Sequence, residues 1–172
     1  MVLAIIAVMT SVLVPNVRGS LKGMRVREAA LTLAEHVRYA QILAVEQGRP
    51  VRVAIDRERR GYQVEVADDA SGTTFHATAV LGEAFVGLAE GVEFESVEAG
   101  VAPDSGKDSL WFDPAGTWSS AKVRLTDGDR RFEVRVGGSL GRIEVIDPES
   151  EAHGQKSAEE TDLLATPIVP SE

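Results

Sequence analysis

A chain of 172 residues, 44% hydrophobic and 26% charged, is long enough for one core of ordinary size with appendages. Its net charge of −9 is uneven: residues 147–172 hold seven acids and one lysine, which leaves −3 for residues 1–146. So nearly neutral a body has no basic face for neutralising nucleic-acid phosphates, and a chain without cysteine uses neither disulfides nor thiolate chemistry.

Residues 1–17, MVLAIIAVMTSVLVPNV, contain no charged side chain. A run of 17 sits at the lower edge of the roughly 20 residues that cross about 30 Å of hydrocarbon as a helix. No positive charge precedes it and no small-residue cleavage site follows it, which argues against a secretory signal peptide. The segment is apolar all round, whereas a core helix at a chain end keeps one solvated face. A membrane helix, truncated as written, is therefore expected over residues 1–17, and a buried helix of a soluble domain is the competing reading.

From Met24 to Gln47, Val26, Ala30, Leu33, Val37, Ala40 and Ala44 recur at spacings of three and four, with Arg25, Glu28, Thr32, Glu35 and Arg38 opposite them. That spacing predicts an amphipathic helix, stopped by Gly48 and Pro50. Pro15, Gly19 and Gly23 fall between the apolar and amphipathic parts, where proline removes a hydrogen bond and each glycine costs about 1 kcal/mol relative to alanine. One long helix is expected, bent or loosened there, with residues 18–48 as its amphipathic continuation. At about 1.5 Å per residue it reaches about 70 Å, more than a domain of this size can cover, so one end must project.

After Pro50 the period becomes two. Val51–Ile55 and Tyr62–Val66 alternate around DRERRG, which predicts a hairpin. His76–Leu81 and Val92–Val97 read as strands, and the pattern returns in SLWFD, AKVRLTDGDRRFEVRV and GRIEVI, with Asp127-Gly128 as a hairpin turn. A long N-terminal helix followed by antiparallel strands over residues 49–146 is an α+β layout, with the amphipathic half covering the sheet. Residues 147–172 show charge, proline and small polar residues without periodicity, so a disordered acidic tail is expected. Its apolar pairs Leu163-Leu164 and Ile168-Val169 are too sparse for a core and offer a docking segment.

No enzyme is expected from these residues. His36, His76 and His153 show no spacing that recommends a metal site or a catalytic pair, and no cofactor is implied. Asp68-Asp69 and Asp127 with Asp129 sit where turns favour aspartate. Trp111 and Trp118 bracket the Asp113-Pro114-Ala115-Gly116 turn, as cross-strand packing does and as a ligand platform would.

The stretch VLAIIAVMTSVLVP resembles the hydrophobic half of the type IV pilin and pseudopilin signature, including the proline at Pro15. REAALTLAEHVRYAQILAVEQGRPVRV, LWFDPAGTW and GGSLGRIEV resemble the H-type minor pseudopilin (GspH) of type II secretion and its relative FimT. The likeness spans Val2 to Ile146 except the divergent middle. It implies a pilin-like fold and a single-pass subunit of the bacterial inner membrane, with its sheet domain in the periplasm. It also implies partners among the major and minor pseudopilins, the secretion assembly platform and exported cargo.

On that reading Val2, Leu3, Ile5, Ile6, Val8, Val12, Leu13 and Val14 pack in the membrane and the helical bundle. Pro15 and Gly19 make the join, and Phe112, Pro114, Gly116, Gly141 and Arg142 stand at family-motif positions. The processing glycine, the first mature phenylalanine and the acidic fifth residue of the family are absent. The corresponding expectation is that Met1 lies inside the gene, for example at a GTG codon read as an initiator. The alternative is a FimT-like minor type IV pilin in pilus assembly or DNA uptake. There a Gly-Arg-x-Arg motif supplies charge, but here it reads Gly141-Arg142-Ile143-Glu144. Arg49, Arg52, Arg57, Arg59 and Arg60 are interrupted by Asp56 and Glu58, so electrostatics disfavour DNA.

Overall fold

The computed structural model describes residues 2–80, 82–99, 108–116, 120–137, 141–148 and 150, with the backbone alone over 2–22. One helix, α1 (Val2–Gln47), precedes the strands. They are β1 (Val51–Asp56), β2 (Gly61–Ala67), β3 (Phe75–Thr78), β4 (Val86–Gly87), β5 (Glu93–Ala99), β6 (Ser109–Phe112), β7 (Ala121–Thr126), β8 (Arg131–Gly137) and β9 (Arg142–Ile146).

The helix is uninterrupted through Pro15 and Gly19 and runs for 46 residues. It ends as its glycine dictates. Gly48 takes φ of 62°, and the Arg49 and Gly48 amides donate to the Ala44 and Val45 carbonyls at 3.3 and 3.4 Å. That is the crossed pair of bonds with which a left-handed glycine closes a helix. Pro50 then turns the chain into β1.

The strands form two antiparallel sheets rather than one. The first has the order β3-β2-β1-β6, with β4 beside β3 along the same edge of β2, and the second has the order β5-β7-β8-β9. Alternation explains which face is buried: Val51, Val53 and Ile55 of β1, and Val123, Leu125, Phe132, Val134 and Val136 of β7 and β8, all point into one core. Helix α1 packs on strands of both sheets and contributes Val26, Ala30, Leu33, Val37, Ala40 and Ala44, the stripe its periodicity predicts, widened by Ala34 and Leu43.

Two local features complete the frame. At Gly61, paired with Gly87 across β2 and β4, a side-chain carbon would stand 2.5 Å from the Val86 carbonyl oxygen and against the Phe85 ring, so only glycine lets β4 close. The short strand β4 carries no periodicity that sequence could show. The Asp127-Gly128 hairpin forms as expected, with φ of 92° at Gly128 and Asp127 accepting the Asp129 and Arg130 amides at 3.0 and 2.8 Å. The expected tail lies outside the described residues from 151 onward.

Candidate functional site

The amphipathic part of α1 has a second apolar line. Met24, Leu31, Ile42 and Val45 are 45–64% exposed on the side away from the sheets, with Tyr39 beside them. At about 100° per residue, positions 24, 31 and 42 fall within about 20° of one another. Glu28, Glu35 and Arg38 interleave with them, so the outer face reads as polar by period alone. The signal that finds the line is the spacing of seven and eleven. Scattered exposed hydrophobics are ordinary, but four along one helix edge make a surface suited to a neighbouring helix.

The residues expected to pack in the membrane, Val2, Leu3, Ile5, Ile6, Val8, Val12, Leu13 and Val14, with Pro15 and Gly19 of the expected join, all lie on α1. They belong to the stretch described by backbone alone. Among the described residues no helix is long and apolar enough to cross a membrane.

The family-motif positions divide between packing and turns. Phe112 is buried opposite Val51. Pro114 and Gly116 make a turn in which the Gly116 amide donates to the Asp113 carbonyl at 3.0 Å and the Ala115 amide to the Asp113 carboxylate at 2.7 Å. Gly141 takes φ of 58° and is buried, and its carbonyl accepts the Gln41 amide of α1 at 3.3 Å. This bond ties the closing strand to the helix, and Gln41 is a residue the sequence reading did not single out. Arg142 is exposed and donates to Glu144 at 3.4 Å, so the residue that replaces the second arginine also occupies the first.

Four of the five arginines around the β1–β2 hairpin are engaged as well. Arg52 binds Glu65 and stacks on Phe75, Arg57 binds Asp108, Arg59 stacks on Phe85, and Arg60 donates to the Val92 carbonyl. Two of these charges are paired with carboxylates and two are held by a ring or a carbonyl, so Arg52, Arg57, Arg59 and Arg60 make no continuous basic face among the described residues.

The polar residues considered for chemistry also have structural partners. His36 is buried and its Nδ1 donates to the Thr32 carbonyl at 2.8 Å, with the Tyr62 hydroxyl at 3.2 Å. Tyr62 lies on the wall of a cavity of about 180 Å³ between α1 and Val86–Ala89. Burial, with the charges of Glu83 and Glu35, pushes its hydroxyl above the ordinary tyrosine range, so it keeps its proton at neutral pH. His76 pairs with Asp68 at 2.7 Å, and Asp69 accepts the Ser71 hydroxyl and the Gly72 amide. Among the described residues no three histidines, cysteines or acids group as a metal site. Trp111 meets Phe75 edge-on at 5.2 Å, while Trp118 and His153 lie outside the described residues.

On the outer face of the second sheet Glu133 sits between Arg124 and Arg135, at 2.9 and 2.8 Å. Burial works to raise this carboxyl. Hydrogen bonds and charge from Arg135 and Arg124 outweigh it and hold the group below the usual carboxylate range. A carboxyl with a lowered folded-state pKa stabilises the fold above its unfolded value, about 4.5, and loses that contribution as pH falls through the folded one. Glu133→Gln is therefore expected to cost about 1.5–3 kcal/mol at neutral pH, the scale of hydrogen bonds to a charged group. The difference from the parent should shrink below pH 4.5, as chemical denaturation at pH 7 and pH 3 would measure.

The family described as Type II transport protein GspH matches residues 29–140. A type II secretion system protein H of Xanthomonas campestris pv. campestris is 28% identical over 143 residues, 83% of this chain and 76% of that protein. Two structures of the minor pseudopilin EpsH from the type 2 secretion system of Vibrio cholerae share the fold, with TM-scores of 0.56 and 0.57. Their identities are 16% and 14%, and the alignments cover 72% and 73% of this chain and 98% and 96% of theirs. The helix-on-sheets layout is thus pilin-like, as the sequence resemblance implies.

Proposed function

The chain belongs to the type II transport protein GspH family, and we propose that it works as a minor pseudopilin, a subunit that assembles rather than catalyses. The observation that carries this reading is the division of α1. Its buried face covers both sheets from Val26 to Ala44, while the helix extends back to Val2, about 31 Å beyond Gly23 at 1.5 Å per residue. A helix that long serves two environments. The uncharged residues 2–17 hold the subunit in the inner membrane and then pack among other pseudopilin helices. The sheets stand in the periplasm, where they meet neighbouring subunits or cargo.

The exposed line Met24, Leu31, Ile42 and Val45 supports assembly along the helix. The pairing of Arg142 with Glu144 takes away the strand-end charge on which the DNA-uptake alternative would draw. Deletion of the gene in the native host, followed by quantitation of exported protein in the medium, tests the proposal. Loss of export restored by the plasmid-borne chain is expected. Unchanged export, with secretion otherwise dependent on the type II machine, would refute it.

A further inference from the structure

The hairpin between β7 and β8 reaches back along α1 to the point where the described packing begins. A side-chain carbon at Gly23 would lie 2.5 Å from Arg130 Cδ and 2.9 Å from Arg130 Nε, so the guanidinium arm of Arg130 lies directly on the helix at Gly23. This places the hairpin tip about 9 Å along the axis from Val17, the last residue of the uncharged stretch, at 1.5 Å per residue. A bilayer adds roughly 5–7 Å of headgroup on each side of its hydrocarbon core. With residues 2–17 in that core, the hairpin tip stands at the headgroups.

The charge at this level differs from that of the rest of the molecule. Arg18, Lys22, Arg25 and Arg27 all precede Glu28, the first acid of the chain. Together with Arg130, and against Glu28, Asp127, Asp129 and Glu93, which pairs with Thr126 beside the hairpin tip, they give a net +1 in a chain of net −9, with Arg131 and Glu95 cancelling in an ion pair. Arg25, Arg27 and Arg130 are exposed. None of these three forms an ion pair among the described residues, whereas Arg52, Arg57, Arg124, Arg131, Arg135 and Arg142 on the sheets and their loops all do. Asp127 accepts the amides of its own turn through Oδ1, while its buried Oδ2 has no partner among the described residues.

We infer that the β7–β8 hairpin tip and the adjoining turn of α1 form a basic collar that binds the phosphates of anionic lipids and seats the sheet domain on the membrane surface. The inference rests on the membrane reading of residues 2–17. Arg130 supplies the collar from the sheet side, so the contact fixes the domain as well as the helix. Its attraction acts over a screening length of about 10 Å at 0.1 M salt, which makes it salt-sensitive in a way that hydrocarbon insertion is not.

The chain lacks cysteine, so one reporter can be placed at will. Full-length protein carrying Asp129→Cys, labelled with a fluorophore, is reconstituted into vesicles containing a headgroup spin-labelled lipid, with either zwitterionic lipid alone or about one-third phosphatidylglycerol. Expected are flotation with both vesicles, and quenching in the anionic vesicles that is at least twofold stronger and is lost at 0.5 M salt, where the screening length falls below about 5 Å. Arg130→Glu and, separately, Arg25→Glu should each bring quenching to the zwitterionic level. The same label at Gln47→Cys, about 36 Å further along α1, should stay unquenched throughout. Flotation with equal quenching in both vesicles would overturn the collar and leave the anchor intact. Protection of the label only on addition of other pseudopilins would assign the cations to a protein partner and overturn it too. Failure to float with either vesicle would overturn the anchor and the collar together.

Discussion

Leu13→Arg is expected to release much of the protein from membranes, and the double change Ile6→Arg with Leu13→Arg to release nearly all of it. An arginine near the middle of a spanning helix costs about 2.5–3.5 kcal/mol on insertion scales, and the leucine it replaces contributed about 0.3–0.6 in favour. Snorkelling reduces the cost toward a helix end, so the single change is expected to lower retention by one to two orders of magnitude, at 1.4 kcal/mol per decade. Two arginines double the cost. The measurement is the fraction of protein that stays with membranes after alkaline carbonate extraction, alongside restoration of export in the deletion strain. Leu31→Arg provides the contrast, because Leu31 is already 45% exposed on the domain part of the same helix and should remain membrane-bound. Full retention of the double variant, with export intact, would refute the anchor.

The two halves of α1 show why some of the molecule is legible in its sequence and some is not. Burial selects residue type at fixed spacing, so Val26, Ala30, Leu33, Val37, Ala40 and Ala44 announce the face that meets the sheets. The strands announce themselves in the same way, and Gly48 and Gly128 mark a helix end and a hairpin because their φ values of 62° and 92° suit few other residues. Alternation, however, says which face of a strand is buried and nothing of which strand lies beside it. The separation into two sheets, the placement of β5 next to β7, and the two-residue β4 thus escape the pattern.

The outer line of α1 escaped for a different reason. Met24, Leu31 and Ile42 are apolar residues that this chain does not bury, so they have no intramolecular period to join. The collar cations were visible as letters but not as a group. Arg130 lies more than a hundred residues from Arg25 and Arg27, and only the close approach of Arg130 to Gly23 brings them to one level of the helix. The resemblance supplied the family from short motifs, but it did not say what Gly141 does. The structure assigns it a buried carbonyl held by Gln41, a contact between residues a hundred positions apart.

Leu33→Ala should produce the largest loss of stability among single core changes on α1. Leu33 is fully buried and is the largest side chain among the helix residues that are, in a stripe otherwise built of valine and alanine. Alanine at Ala30, Ala34, Ala40 and Ala44 brings the helix backbone close to the sheets, so neighbouring side chains have little freedom to collapse into a vacated site. Leucine-to-alanine changes in such positions cost about 2–5 kcal/mol, rising with the volume that fails to close. Against a typical domain stability of about 5–15 kcal/mol, that is a large share. Because α1 packs on both sheets, the lost contacts weaken the attachment of each sheet to the helix, and unfolding should remain a single transition at lower denaturant. Leu31→Ala, two residues away on the exposed side, should shift the midpoint by no more than about 0.5 kcal/mol equivalent. The pair therefore separates the two faces of one helix: a large shift at Leu33 with none at Leu31 fits a helix held by its inner face, and equal shifts would mean that the outer face is covered in solution.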